Sequence, residues 1–373
     1  MSGKKLGFGL MRLPLTDPNN SRSIDYPLLQ TMVDSFMEQG FNYFDTAWMY
    51  HGGQSECAVK EVLVNKYPRD SVTVTSKLPS CKLRSFEDRD KILGIQLERT
   101  GLDYFDYYFL HEISAETIKS FNKYDCFTWL REKKEQGLVR HIGFSYHDGP
   151  ELLDKVLTEH PEFEVVQLQI NYLDWDSAGV QSRACYEVAV KHGKQVIVME
   201  PVKGGTLANV SDEVKELFHA RDKSMSVASW AIRFCASLEN VMLVLSGMSN
   251  MAQLLDNTAY MTGFKPLTRE EFELCLQAAD IINRDIAIPC TGCEYCVVEC
   301  PKNIAIPKYF SLYNAEQQEI SGKPWTAQMI YFDSVSAAFG KPSECIKCGR
   351  CETLCPQHLP IRKWLDKVAD YFE

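Results

Sequence analysis

Residues 26–45 read YPLLQTMVDSFMEQGFNYFD and combine two patterns. From Leu28 to Phe36 the apolar residues recur every three or four positions, as on one face of an amphipathic helix, and Gly40 ends the pattern. The next five residues form a short, largely aromatic run that ends on Asp45, which is typical of a buried strand. The stretch therefore predicts a helix over 26–38 followed by a strand over 41–45.

The same alternation continues through about the first 250 residues. We predict strands over 6–10, 41–45, 72–77, 106–111, 141–145, 165–171, 195–200 and 241–246. We predict helices over 26–38, 55–66, 87–100, 116–136, 150–159, 177–192, 214–220, 226–237 and 268–282. Alternating strands and helices build parallel sheets, and eight units in about 260 residues match the count and size of a (β/α)8 TIM barrel.

A doubly wound α/β sheet is the alternative fold for such an alternation. That fold normally binds dinucleotides through a GxGxxG turn between its first strand and first helix. Here Gly7-Phe-Gly9 runs into Leu-Met-Arg-Leu-Pro, which does not begin a helix. The sequence therefore favours the barrel.

Composition narrows the class of protein. The 373 residues are 45% hydrophobic and 24% charged, as in a globular chain, and the formal net charge of −10 argues against a nucleic-acid-binding surface. No run approaches the roughly 18 apolar residues of a membrane span, and the first residues lack the apolar core of a signal peptide. We therefore expect neither a nucleic-acid nor a membrane partner. The cytoplasmic location that we also expect follows from the cysteine chemistry described next, which suits a reducing compartment.

Eight of the fourteen cysteines lie between Cys290 and Cys355. Without a secretory leader, so many cysteines predict metal binding before disulfides. They form two runs of the pattern CxxCxxCxxxCP, which are CTGCEYCVVECP at 290–301 and CIKCGRCETLCP at 345–356. This pattern is typical of ferredoxins with two [4Fe–4S] clusters.

In two-cluster ferredoxins the fourth cysteine of each run binds the other cluster. By that similarity, the predicted ligands of one cluster are Cys290, Cys293, Cys296 and Cys355. Those of the second cluster are Cys300, Cys345, Cys348 and Cys351. Structural zinc is the alternative, but a zinc site takes four ligands, commonly as two CxxC pairs, and does not need the repeated Cys-Pro ending.

The predicted domain boundary lies between residues 285 and 286. A barrel over 1–285 is then followed by a small, mainly helical, ferredoxin-like domain over 286–373. Because no Gly/Ser-rich linker separates them, we expect the second domain to pack on the barrel.

Three successive predicted strands end on ionisable residues, which are Asp45, Lys77 and His111. In a (β/α)8 barrel the carboxyl ends of the strands surround the active-site mouth. Tyr50 follows Asp45 by five residues and can reach the same mouth from the loop. Singly, each residue could be structural, since Asp45 and Lys77 could form a simple ion pair and His111 a buried structural histidine.

Together the four residues suit carbonyl chemistry. A lysine ammonium beside a tyrosine lowers the phenol's pKa, and an aspartate fixes the lysine. The phenol can then protonate a carbonyl oxygen while hydride reaches the carbon, and a histidine can hold that oxygen.

The segment FDTAWMY (44–50), with Lys77 and His111, resembles the Asp-Tyr-Lys-His tetrad of the aldo/keto reductases. The resemblance covers about residues 5–260, and GFGLMRLP at the start, MEPVKGG (199–205) and the cysteine runs are similar to a branch with a ferredoxin-type extension. It implies that Tyr50 is the proton donor, that Lys77 and Asp45 tune it, and that His111 orients the carbonyl.

The resemblance also implies NAD(P)H stretched across the mouth. The residues that it places against the cofactor are Ser145, Gln167, Met199, Lys203, Gly204, Asp256 and Asn257. Tyr146 stands where the family usually has asparagine, so His147 or Asp148 would compensate. Gln253 stands near the arginine that grips the 2′-phosphate in NADPH-dependent members, which leaves NADH, NADPH or another cofactor open.

Three functions remain open from the sequence. The first is an iron–sulfur oxidoreductase that reduces a small-molecule carbonyl, or oxidises an alcohol, with NAD(P)H. The second is a reductase that draws electrons from a redox partner such as ferredoxin, with a flavin or another cofactor in the barrel, because clusters carry single electrons and nicotinamide carries hydride. The third is an electron-transfer or assembly protein whose barrel is a scaffold.

Overall fold

The computed structural model describes residues 4–284, 286–290, 292–319, 325–355 and 357–373. Eight parallel strands form a closed barrel in sequence order, in which the first strand also pairs with the last. The strands β1 to β8 are Leu6–Gly9, Tyr43–Asp45, Thr73–Pro79, Phe105–Ile113, Val139–Tyr146, Val165–Gln169, Gln195–Met199 and Val241–Gly247. The predicted (β/α)8 barrel is confirmed, and the doubly wound sheet is wrong because that sheet stays open.

Eleven α-helices lie between and after the strands in the described residues up to Asn283. Helices α1 to α11 are Tyr26–Glu38, Gln54–Val59, Glu87–Thr100, Thr117–Lys123, Cys126–Glu135, Pro150–Glu159, Ser182–Lys191, Asp212–Arg221, Val227–Ala236, Met251–Thr262 and Arg269–Asn283. The predicted helix over 116–136 is two helices, because Asp125 takes a left-handed backbone (φ 48°) between them. The helix predicted over 177–192 begins only after Gln181, whose φ is 55°, and α10 was not predicted. No helix of the described segments is long and apolar enough to cross a bilayer.

The period-two alternation of the strands gives the barrel two cores. Inward side chains such as Tyr43, Phe109 and Ile197 fill the barrel, while outward ones pack beneath the helices. Gly143 belongs to the inward set because a Cβ there would lie 2.6 Å from the Phe109 ring. The next inward position at the carboxyl end of each strand therefore faces the mouth.

The C-terminal region is helical, with α12 to α16 at Tyr295–Val298, Ile306–Gln318, Ala327–Ala338, Arg350–Leu354 and Ile361–Phe372. It has its own core, which includes residues from Ile288 to Val368 and also Val180 of the barrel. The barrel core extends as far as Ile282. Residues 1–3 and Asp285 lie outside the described residues, and the boundary between 285 and 286 stays a prediction.

Helix α14 packs against the mouth of the barrel. The Tyr331 ring lies 5.7 Å from the His147 ring, and Ser334 Oγ donates a hydrogen bond of 3.2 Å to the His147 carbonyl oxygen. On the neighbouring helix α13, Ser311 Oγ lies 2.9 Å from Ser177 Oγ of the loop after β6. The C-terminal helical region thus covers the side of the mouth formed by β5 and β6.

Candidate active site and cluster sites

The residues predicted at the mouth come together there. Asp45 ends β2 and Lys77 lies in β3, both at inward positions, and Lys77 Nζ donates to Asp45 Oδ1 at 2.5 Å. The same ammonium donates to the Thr46 carbonyl oxygen at 2.8 Å and lies 3.5 Å from the Tyr50 hydroxyl. His111, the inward residue near the end of β4, places its ring 6.3 Å from that of Tyr50.

The loop after β2 is fixed by its own histidine. His51 Nδ1 donates to the Ser21 carbonyl oxygen at 2.6 Å, and its Nε2 accepts from the Leu13 N–H at 3.1 Å. His51 and Gly52 both take left-handed backbones, which turn the chain immediately after Tyr50. This bracing holds the phenol over the end of the barrel.

Burial dominates the electrostatics of the tetrad. Lys77, Asp45 and His111 are 1%, 2% and 8% exposed. Burial raises the pKa of Tyr50 well above 10, and the charges of Asp45, Glu112 and Glu200 raise it further. Burial, with Lys77 and His147 nearby, lowers the pKa of His111 well below 6.5. Near neutral pH the site therefore presents a protonated phenol and an uncharged imidazole.

One electrostatic expectation is wrong. The sequence predicts a lowered pKa for Tyr50, but burial and the charges of Asp45, Glu112 and Glu200 raise it, against a lowering effect of Arg12. The Lys77 ammonium is already engaged by Asp45 at 2.5 Å, whereas its distance to the Tyr50 hydroxyl is 3.5 Å.

The predicted carboxamide-binding residues are inward ones on β5 and β6. Ser145 Oγ accepts from the Glu112 N–H at 2.8 Å, and Gln167 Nε2 lies 3.5 Å from Asp45 Oδ2. Of the two residues expected to compensate for Tyr146, Asp148 accepts from the Ala115 and Gly149 N–H groups and so holds the loop. His147 is buried, and its Nδ1 has no partner among the described residues.

An open groove leads away from the mouth between β7, β8 and α10. Its lining includes the predicted Gly204, Asp256 and Asn257, together with Arg12 and Glu200. Asp256 accepts from Ser226 Oγ at 2.6 Å, and Asn257 Nδ2 donates to Ser246 Oγ at 2.9 Å. Arg12 is the one cation in this lining, and its Nη2 lies 3.3 Å from Glu200 Oε1.

Two predicted cofactor residues occupy different surroundings. Met199 is half-buried at the end of β7, next to the mouth. Lys203 was predicted beside the pyrophosphate, but its side chain is buried and forms an ion pair of 2.6 Å with Asp174 Oδ1. The structure therefore turns the Lys203 ammonium away from the groove, while Gly204 and Gly205, with φ of 62° and 107°, remain at its edge.

The sequence prediction missed three charged residues at the mouth, which are Arg12, Glu112 and Glu200. Glu112 and Glu200 follow inward residues near strand ends and take left-handed backbones, with φ of 63° and 53°. For Glu112 a signal existed, because alternation from the outward Leu110 would place this acid in the apolar outer core. Arg12 and Glu200 carry no comparable signal, since only the closed barrel brings β1 and β7 to the same groove.

The two cysteine runs enclose two separate cavities. One is lined by Cys290, Cys293, Cys296 and Cys355. The other is lined by Cys300, Cys345, Cys348 and Cys351. Each cavity thus receives three cysteines from one run and the fourth from the other.

This arrangement differs from a zinc site. Nowhere in the described ranges do three or more His, Cys, Asp or Glu side chains converge closely enough to hold a single metal ion. Four thiols spread around a cavity suit a cluster whose irons lie around its centre. The residues present therefore fit the group that their spacing predicts.

Comparison with known proteins addresses the two parts of the chain separately. The model of the aldo/keto reductase family matches residues 5–280. The chain belongs to the aldo/keto reductase family. A second model, of a 4Fe-4S dicluster domain, matches residues 289–359, so this oxidoreductase belongs to the branch with an iron–sulfur extension.

Relatives of this aldo/keto reductase match its barrel. An aldo-keto reductase from Mycolicibacterium smegmatis is 26% identical over 241 residues, which cover 65% of this chain and 78% of the relative. L-galactose dehydrogenase from Arabidopsis thaliana is 25% identical over 252 residues, 62% of this chain and 77% of the relative.

Solved structures agree with the barrel fold. The holo form of an aldo-keto reductase from Bacillus halodurans gives a TM-score of 0.58 at 24% identity, covering 74% of this chain and 91% of that one. A Klebsiella pneumoniae aldo-keto reductase solved with NADPH gives 0.56 at 19% identity, covering 74% and 95%.

Proposed function

We propose that this enzyme reduces a small carbonyl compound, or oxidises the corresponding alcohol, with a nicotinamide dinucleotide in the barrel, and that its extension holds two [4Fe–4S] clusters. The observation that carries the proposal is the contact of the Tyr50 hydroxyl with Lys77 Nζ at 3.5 Å, beside His111 and above the Lys77–Asp45 ion pair.

Each residue of the tetrad has a distinct role in this proposal. Tyr50 donates the proton that the carbonyl oxygen gains, and Lys77 stabilises the phenolate that remains. Asp45 keeps the buried ammonium compensated and in place. His111, uncharged because its pKa is lowered, donates an N–H to the same oxygen. Bound NADH or NADPH supplies hydride to the carbonyl carbon.

The groove supports a dinucleotide cofactor. Gly204 and Gly205 permit a close approach of the backbone, and Arg12 is positioned to meet a phosphate. Ser145, Gln167 and the unpartnered Nδ1 of His147 would hold the carboxamide. Since Gln253 and Asp256 line the far end and bring no positive charge, we infer a preference for NADH over NADPH. The Klebsiella relative solved with NADPH supports nicotinamide as the cofactor class.

The extension would hold one cluster in each cysteine cavity, with the crossed ligand sets described above. The clusters supply single-electron transfer when bound. The chain's own contribution is a helical core that includes Cys296, Cys351 and Cys355, with Ile306 of α13 lining both cavities.

The pKa shifts predict an unusual pH profile for the reduction. A lowered histidine pKa keeps His111 uncharged, and a raised tyrosine pKa keeps Tyr50 protonated, so both groups stay in their active form between about pH 7 and about pH 9. We expect kcat/KM for reduction to be flat over that range when measured under anaerobic steady-state conditions. A fall in rate centred near neutral pH would contradict these assignments.

The function is tested on the holoenzyme with both clusters loaded, under anaerobic conditions. We expect NADH oxidation, followed by absorbance, to require an added aldehyde and to release one alcohol per NADH. NADPH should give a lower kcat/KM. Alcohol formation with reduced ferredoxin but with neither nucleotide would overturn the nicotinamide assignment.

One observation favours that second candidate, a ferredoxin-linked reductase with a flavin or another mediator. An open cleft is lined both by Asp174 of the loop after β6 and by Cys290, a proposed cluster ligand. A mediator there would touch both domains. Release of flavin on denaturation of the holoenzyme, with ferredoxin-dependent turnover, is the result that this candidate requires.

A further inference from the structure

Strand β4 carries one extra residue at its mouth end. Phe109 points into the barrel, and Leu110 points outward into the core beneath the helices. Strict alternation would place residue 112 in that outer core, but Ile113 is there instead. The pairing with β5 shifts register between Leu110 and Ile113, so Glu112 is the inserted residue of a β-bulge.

The backbone of Glu112 is held in an unusual conformation. Its φ of 63° lies in the left-handed region, which residues with a Cβ rarely adopt. The Glu112 N–H donates to Ser145 Oγ at 2.8 Å, and its carbonyl oxygen accepts from the Thr117 hydroxyl. Bulges beside active sites re-aim side chains, and strained residues persist there because the surrounding structure holds them.

The Glu112 side chain interacts electrostatically with Tyr50 and Lys77 of the tetrad. It is half-buried, and its carboxylate takes part in no hydrogen bond or ion pair with any residue that the structure describes. Glu112 directly follows His111, and its N–H donates to Ser145 Oγ, so the residue lies at the mouth end of β4. Burial raises the pKa of Glu112 and the charge of Lys77 lowers it, and an ionised Glu112 in turn raises the pKa of Tyr50.

The other charges at the mouth are compensated. Lys77 is paired with Asp45 at 2.5 Å, and Arg12 with Glu200 at 3.3 Å. His111 is uncharged because its pKa is lowered. Among these residues Glu112 is therefore the acid without a partner, and when it is ionised it adds a negative charge at the mouth end of β4 that only Lys77 offsets.

We propose that Glu112 is a specificity-determining residue that selects uncharged carbonyl compounds and excludes those with a carboxylate next to the carbonyl. The inference rests on the proposed reduction at Tyr50. A second negative charge close to Glu112, in a mouth that burial keeps poorly solvated, is strongly disfavoured. Exclusion by a repulsive group is a common source of specificity.

The test compares two substrates that differ only in charge, benzoylformate and its methyl ester, in the wild-type holoenzyme and in Glu112→Gln. We expect the substitution to raise kcat/KM for benzoylformate about tenfold and to change that for the ester less than about twofold. Gln keeps the size of the side chain and both backbone hydrogen bonds, so the thermal unfolding midpoint should not change.

Glu116→Gln is the matched control, because it removes the same charge from an exposed residue paired with Lys119. An equal rise for acid and ester, or the same selectivity change in the control, would overturn the proposal. If neither compound is reduced by any variant, the proposed function fails. The proposal for Glu112 is then tested by calorimetry, which measures the binding of mandelate to each enzyme. Tighter mandelate binding by Glu112→Gln than by wild type supports it, and equal or undetectable binding overturns it.

Discussion

Replacing Tyr50 by phenylalanine should lower kcat for carbonyl reduction by about a hundredfold to ten-thousandfold, the range that a positioned proton donor contributes. The ring and its edge-on contact with His111 remain, whereas the hydroxyl 3.5 Å from Lys77 Nζ is lost. Because the ground-state contacts of the cofactor do not involve that hydroxyl in our proposal, the Kd for NADH should stay within about twofold of the wild type. Single-turnover kinetics and a fluorescence titration measure the two quantities separately.

The control for Tyr50→Phe is Tyr67→Phe. Tyr67 is also hydrogen-bonded to a charged group, Asp34, but it lies on the outside of the barrel. Its loss should leave kcat unchanged. A Tyr50→Phe enzyme that keeps more than about a tenth of the wild-type kcat would show that another group delivers the proton.

Removing the fourth cysteine of either run should cost one whole cluster. Cys355 lines the cavity of the first run, so Cys355→Ala should lower the iron content from about eight to about four atoms per chain. Cys300→Ala should do the same for the other cavity. Iron and sulfide analysis after anaerobic reconstitution measures this loss, and Cys81→Ala, an exposed cysteine of the barrel, is the control.

Double variants reveal whether the ligand sets are crossed. Cys293→Ala combined with Cys355→Ala removes two cysteines from the same cavity, so about four irons should remain. Cys348→Ala combined with Cys355→Ala removes one cysteine from each cavity, so both clusters should be lost. The reverse result would show that each run binds its own cluster without exchange.

The sequence predicted the parts of the site that follow from local patterns. Asp45, Lys77 and His111 were found because each ends a short apolar run, and a closed barrel brings such ends together. The cysteine runs were found because cluster ligation requires a fixed local spacing. Their crossed arrangement was available only through similarity to ferredoxins, since spacing alone does not say which thiols meet.

Features that depend on the backbone or on distant contacts were not predicted. The bulge at Glu112 changes which face a side chain occupies, and a one-residue shift is visible only as a broken alternation. The Lys203–Asp174 ion pair joins residues 29 positions apart on different loops, so a Lys-Gly-Gly segment alone suggested a phosphate contact. The packing of Tyr331 on His147 joins the two domains, and no local pattern encodes it.

Helix α14 lies along the chain between the two cysteine runs, and the same helix covers His147. Iron bound at both ends of this segment, as we propose, would restrict the conformations that it can take and so lower the entropic cost of keeping α14 against the barrel. We therefore expect a chain without its clusters to hold this wall beside the proposed catalytic groups less firmly. In this proposal the supply of iron affects the wall of the candidate active site through the connectivity of the chain alone.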